Sequence, residues 1–207
     1  CEDLLFVNGA YAQYILIPAR IARTNCHRIP DALPAAHAAL SEPLACAVKG
    51  IEDVGVRAGE TVAVMGAGPL GLMHVCLAAM RGAFVIAIDK RSDRLELARK
   101  LGAQAVVQPD DSDAWVGEVR ALSNGGYGVD RAVEAVGLPD TWESSIQLVR
   151  RGGIINLFGG CPSGTHVRVD TARMHYEEVR LIASFHLTPA THRGALNLIA
   201  TGMVPAE

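Results

Sequence analysis

The chain has 207 residues, half of them hydrophobic, with a formal net charge of -3. That is enough for one large or two small globular domains with a real core. The slightly acidic balance, without a run of basic residues, argues against nucleic acid or a membrane surface as partner. The five cysteines, Cys1, Cys26, Cys46, Cys76 and Cys161, are dispersed with no Cys-x-x-Cys pair. That usage points to a reduced, cytoplasmic protein rather than a disulfide framework. Residues 61–80 carry no Asp, Glu, Lys or Arg, yet GAGPLG interrupts them and the remainder is too short to cross a bilayer. Glu2 and Asp3 stand where a signal peptide would carry positive charge. Cys1 leads straight into sequence of mid-domain character, as in a fragment of a longer protein.

In chain order, NGAYAQYILIP (8–18) alternates like a strand of an antiparallel sheet, and ALPAAHAALSEPLACAVKGIEDVG reads as helical around Pro43. From Gly59 onward apolar runs alternate with helical periods. TVAVMG is a strand, PLGLMHVCLAAMRG a helix and FVIAID a second strand. SDRLELARKLG is an amphipathic helix, with Asp93 and Glu96 spaced as a capping-box-like start. AVVQP is the third strand, followed by a helix within AWVGEVRALSNGG and a strand in DRAVEAVG. TWESSIQLVRRGG reads as a helix ending at Gly152, IINLFGG as the next strand, TARMHYEE as helix or loop, and RLIASF as a short apolar segment. This alternation predicts an α/β domain, a doubly wound parallel sheet of the Rossmann type, over residues 43–183.

The glycines Gly66, Gly68 and Gly71 of VAVMGAGPLGLMHV form a Gly-x-Gly-x-x-Gly run, with Pro69 and Leu70 inside it. A tight strand-to-helix corner would by itself explain such a run. Its place directly after a strand and at the opening of a helix is also the setting a dinucleotide needs. Gly66 would permit the turn, Gly68 the approach of a pyrophosphate, and Gly71 close packing of helix on sheet. Free N–H groups at the helix start would hold the phosphates. Asp89 ends the next strand, at the separation where a carboxylate accepts hydrogen bonds from the adenosine ribose and repels a 2′-phosphate. A solvated strand end is the plain alternative for it. The reading favours NAD over NADP, a preference that Lys90 and Arg91 would soften.

GETVAVMGAGPLGLM, DKRSDRLELARKLGA, VDRAVEAVG and RRGGIINLFGG together resemble the coenzyme domain of the zinc-dependent medium-chain dehydrogenases, in the threonine and polyol branch. NGAYAQYILIP is similar to a strand at the end of that family's catalytic domain. The resemblance implies that residues 1–42 are a remnant of a mostly β, GroES-like catalytic domain and that 184–207 begin the return to it. Cys1 matches the last of four structural-zinc cysteines, and Glu42, before Pro-Leu, a glutamate at the catalytic zinc. Arg94 would flank the ribose, and Val136 and Gly137 would line the cofactor groove. Phe158, Gly159 and Gly160 would offer main-chain groups to the nicotinamide amide, with Ser184 and Phe185 as a last contact.

The family's catalytic-zinc Cys and His-Glu pair have no counterpart in these residues. His186 and His192, six apart, lack the i, i+3 or i, i+4 spacing of a helical metal pair, and the other histidines are isolated in sequence. The expectation is an NAD-binding part of a zinc-dependent oxidoreductase acting on a secondary alcohol, polyol or hydroxy amino acid, which by itself turns over no alcohol. A homo-oligomer formed through the coenzyme domain, with IINLFGG and GTHVRV at its edge, belongs to the same analogy. The alternatives are a non-catalytic nucleotide-binding sensor or assembly module and a zinc-free quinone-reductase-like relative.

Overall fold

The computed structural model describes residues 9–112 and 114–206, so Cys1 lies outside the described residues. Three helices come first: α1 (Ala19–Asn25), the single turn α2 (Ala35–Ala38) and α3 (Ser41–Val54). The apolar runs then become strands β1 (Thr61–Met65), β2 (Phe84–Ile88), β3 (Ala105–Val107), β4 (Val129–Glu134), β5 (Val149–Leu157) and β6 (Arg180–Ile182). Between them run α4 (Pro69–Met80), α5 (Ser92–Lys100), α6 (Ala114–Ala121), α7 (Pro139–Leu148) and α8 (Thr171–His175), and α9 (Pro189–Ala200) follows the last strand.

All strand pairs are parallel, in the order β3-β2-β1-β4-β5-β6. The chain therefore winds outward from β1 to β3, then returns to β4 and winds the other way. The loops leaving β1 and β4 diverge at that reversal and open a crevice, the usual ligand position in such sheets. Every residue of β1 is buried, which is why after Thr61 its sequence is a continuous apolar run rather than an alternating one. Ala63, Met65, Ile86 and Ile88 face a core that includes Val119, Leu148 and Ile155. Val62, Val64, Val85 and Ala87 alternate with them and are buried on the opposite face.

Side chains clamp the beginnings of the central strands. Asp130 Oδ2 accepts from the Thr61 N–H at 2.7 Å, and its Oδ1 from Arg150 Nε at 2.7 Å. Arg131 pairs with Glu60 at 2.8 Å, both side chains mostly buried.

The chain divides into two compact units, one of them Ala47–Phe185. The other comprises the described residues up to Cys46 and from His186 onward. In it His192, on α9, lies 3.1 Å by Nε2 from Ser41 Oγ and 2.9 Å by Nδ1 from Asn25 Oδ1. Its ring meets that of His27 edge to face. Histidines isolated in sequence are thus not isolated in space.

Four local expectations are corrected. Residues 9–18 form no strand: no described residue pairs with them, and Tyr14 and Leu16 stand 91% and 86% exposed. A strand needs a neighbour for its backbone groups. The helix expected to reach Gly152 stops at Leu148, because residues 150–153 form a bulge where the β4–β5 register shifts. The Asp93–Glu96 capping box does not form, since Asp93 is bound to Arg91 instead. IINLFGG is no sheet edge: β5 lies between β4 and β6. Helix α9 was not anticipated, although its cap is readable as TPAT, with Thr188 and Thr191 each accepting the other's backbone N–H. Among the described residues no helix is long and apolar enough to cross a membrane.

Candidate nucleotide-binding site

At the strand reversal lies a cavity of about 620 Å³, lined by the glycine loop, the end of β2, Arg94, Pro109, Asp110, Trp115 and the β4–α7 loop with the first turns of α7. Gly66 has φ +91°, a conformation that L side chains rarely adopt, and its N–H donates to Ile88 O. A Cβ on Gly71 would stand 1.7 Å from Gly66 O, so α4 seats directly on the loop backbone. Gly68 differs: a Cβ there would meet only Arg94 Nη1, at 3.9 Å. It caps α4, with Pro69 in the first turn, and leaves open space before the helix start. The three glycines thus have separate reasons, a turn, an open cradle and a packing contact. A diphosphate fits the cradle, where unpaired helix N–H groups and the positive end of α4 would meet it.

Asp89 is 9% exposed. Its Oδ2 accepts from the Ala67 N–H at 2.7 Å and its Oδ1 from the Arg91 N–H at 2.8 Å. Arg94 Nη1 lies 3.6 Å from Oδ2. The carboxylate therefore ties the glycine loop to the β2–α5 loop at the rim of the cavity.

Sequence reasoning missed Glu134, the last residue of β4 and fully buried. Its Oε1 accepts from the N–H groups of Val136 and Gly137 at 2.9 and 3.0 Å and from Thr141 Oγ1 at 2.7 Å. Its main-chain oxygen accepts from Phe158 and Gly159, and Trp142 Nε1 donates to Gly159 O. One residue thus holds the loops after β4 and β5. Its charge also pushes the Cys161 thiol up, after the larger effect of desolvation. The signal was an acid directly after the apolar Ala132 and Val133, at the carboxyl end of a buried strand.

His74, isolated in sequence, has a built environment in the fold. It is fully buried, its Nδ1 is 2.8 Å from Leu70 O, and its ring meets Phe158 edge to face at 4.5 Å. Desolvation pulls its pKa down to about 4, against a smaller opposing effect of the Leu70 carbonyl. It braces the glycine-loop helix against the residue that precedes Gly159.

The remaining candidates divide. Val136 lines the cavity, and Gly137, at φ +83°, adjoins it beside Gly160. Phe158, Gly159 and Gly160 lie behind that loop rather than on the cavity wall. Ser184 is 6% exposed, its hydroxyl donating to Asp53 and accepting from Asn156, so it does not reach the cavity; Phe185 is exposed. Glu42 belongs to the other unit and accepts from Cys46 Sγ at 3.7 Å. Among the described residues no three His, Cys, Asp or Glu side chains come together to hold a metal, so none of them joins Glu42 in a zinc site.

A family model described as zinc-binding dehydrogenase matches residues 69–201. The chain belongs to the zinc-binding dehydrogenase family. Within it, the chain is 38% identical to an alcohol dehydrogenase of Cupriavidus necator over 74% of its own length and 41% of the relative's. It is 32% identical to the sorbitol dehydrogenase of Bacillus subtilis, covering 100% of this chain and 58% of that one. A zinc-binding dehydrogenase structure from Sinorhizobium meliloti 1021, bound to NADP, superposes with a TM-score of 0.78 at 35% identity, over 86% of this chain and 52% of that one. The chain thus spans about half the length of these relatives.

Proposed function

We propose that the unit Ala47–Phe185 binds a nicotinamide dinucleotide, NAD in preference to NADP, as the coenzyme part of an oxidoreductase acting on an alcohol. The observation that carries this reading is the open side of Gly68, facing the same cavity as the carboxylate of Asp89. The main-chain N–H groups at the start of α4 would take the diphosphate. Asp89 would accept from the ribose hydroxyls, as Ala67 and Arg91 hold it in place. Val136 and Gly137, fixed by Glu134, would border the nicotinamide end and keep water from it. When bound, NAD supplies the carbon that accepts hydride from the alcohol.

The relatives named alcohol dehydrogenase and sorbitol dehydrogenase support a secondary alcohol or polyol as substrate, and a hydroxy amino acid belongs to the same class. Residues up to Cys46 and from His186 onward we assign to the catalytic part, and pairing of copies through the coenzyme unit to the outer side of β6. Zinc chemistry has no donor set among the described residues. We expect the 207 residues by themselves to bind coenzyme without oxidising alcohol.

NADP is the second reading. Lys90, Arg91 and Arg94 surround Asp89, and the Sinorhizobium meliloti structure contains NADP. Titrating the chain with NADH and NADPH, by fluorescence or calorimetry, separates the two. Tighter NADH binding is expected; no binding of either at millimolar concentration refutes the site. An assay of alcohols with NAD and added zinc should give no turnover, and turnover would overturn that part.

A further inference from the structure

Asp89 repels a 2′-phosphate and three neighbouring cations attract one, so the balance between the two coenzymes turns on which cations are free. Arg94 is drawn toward Asp89 itself. Arg91 is occupied elsewhere: its Nε donates to Asp93 Oδ1 at 3.0 Å and its Nη2 to Asp93 Oδ2. This is the two-pronged geometry a guanidinium would otherwise present to a phosphate, and one fork cannot serve both partners. The pair holds the Asp93 carboxyl below the usual carboxylate range, and the Arg91 guanidinium above its own. The Arg91 backbone is fixed separately, by its N–H on Asp89, so releasing the side chain would leave the loop in place. Arg91 lines the cavity and Asp93 does not.

We propose that Asp93 determines coenzyme preference as a positioning residue, holding the Arg91 fork away from the ribose 2′ position. The inference rests on the dinucleotide reading above and adds to it a residue that never touches the coenzyme. Both side chains are more than half exposed, so the restraint is weak and salt-sensitive, and the expected effect is modest.

The test titrates the full 207-residue chain with NADH and NADPH as wild type, D93N, R91A and the double variant R91A/D93N. D93N should lower the ratio of NADPH to NADH dissociation constants by about fivefold, the change coming from NADPH, with NADH moving by less than about twofold. The double variant should lose the gain, and raising salt should shrink it. An unchanged ratio in D93N, or an equal gain in the double variant, overturns the proposal. Wild-type chain that binds neither coenzyme overturns the underlying reading instead. A merely structural role for Asp93 would move both coenzymes together and leave the ratio alone.

Discussion

Acidification should destabilise the Ala47–Phe185 unit through His74. The ring is fully buried, and its contact with the Leu70 carbonyl makes Nδ1 the protonated nitrogen of the neutral form. Nε2 has no hydrogen-bond partner among the described residues, and a proton added there would carry an unsolvated charge. The unfolded chain takes up that proton near 6.5, whereas the folded one resists until about 4. Above 6.5 both states are neutral and His74 contributes no pH dependence. As pH falls from 6.5 toward 4 the unfolded state binds the extra proton, and stability declines throughout that window. At about 1.4 kcal/mol per pH unit the loss is roughly 3 kcal/mol, a large part of a typical domain's total. Urea denaturation of wild type and H74N across this range isolates the effect. Asparagine keeps a donor near the Nδ1 position and cannot be protonated. H74N should be less stable near neutrality, because it leaves a cavity beside Phe158, and the gap should close by roughly 3 kcal/mol as pH falls. A gap that stays constant refutes the assignment, because carboxylates elsewhere titrate equally in both proteins.

Substitutions at three positions address the site. G71A places a methyl 1.7 Å from a main-chain oxygen that cannot yield; a loss of about 3 kcal/mol or more is expected, read as a lower Tm together with lost NADH binding. G68A meets nothing closer than 3.9 Å at an ordinary φ of -70°. Its stability should hold within about 0.5 kcal/mol while NADH affinity falls at least about tenfold, and unchanged affinity would remove the diphosphate from this loop. E134A strips the acceptor from two backbone N–H groups and the Thr141 hydroxyl. It should cost about 3 kcal/mol in denaturant titration, with E134Q recovering most of it by keeping an oxygen at the Oε1 position.

The sequence resolved the parts of this molecule governed by local rules. β1 and β2 are legible because strands covered on both faces must be apolar throughout. Gly66 and Gly71 are legible because a tight turn and a close helix approach exclude side chains. What escaped depends on which partners folding brings together, near or distant in sequence. Residues 9–18 have the composition of a strand, but composition cannot supply a neighbour to pair with. Arg150 to Gly153 look like the end of a helix until the β4 register makes them a bulge. Glu134 and His74 read as unremarkable because their work lies in bonds closed by folding: one collects amides from two loops, the other braces a helix on an aromatic ring. Asp93 satisfied the spacing of a cap and was taken by Arg91, a competitor two residues away.

The clamp at the beginnings of β1, β4 and β5 has a practical use at the opposite end of the sheet. Glu60 and Arg131 are 16% and 9% exposed by side chain, and Asp130, 15% exposed, accepts from the Thr61 amide. Ions in solution screen such sheltered pairs poorly and exposed ones well. Ionic strength is therefore a selective reagent for this protein. It loosens the fork between Arg91 and Asp93 while the roots of the strands stay gripped. A salt-dependent change in the ratio of NADPH to NADH affinity, in which the diphosphate common to both cancels, would then report on the proposed ribose end of the crevice.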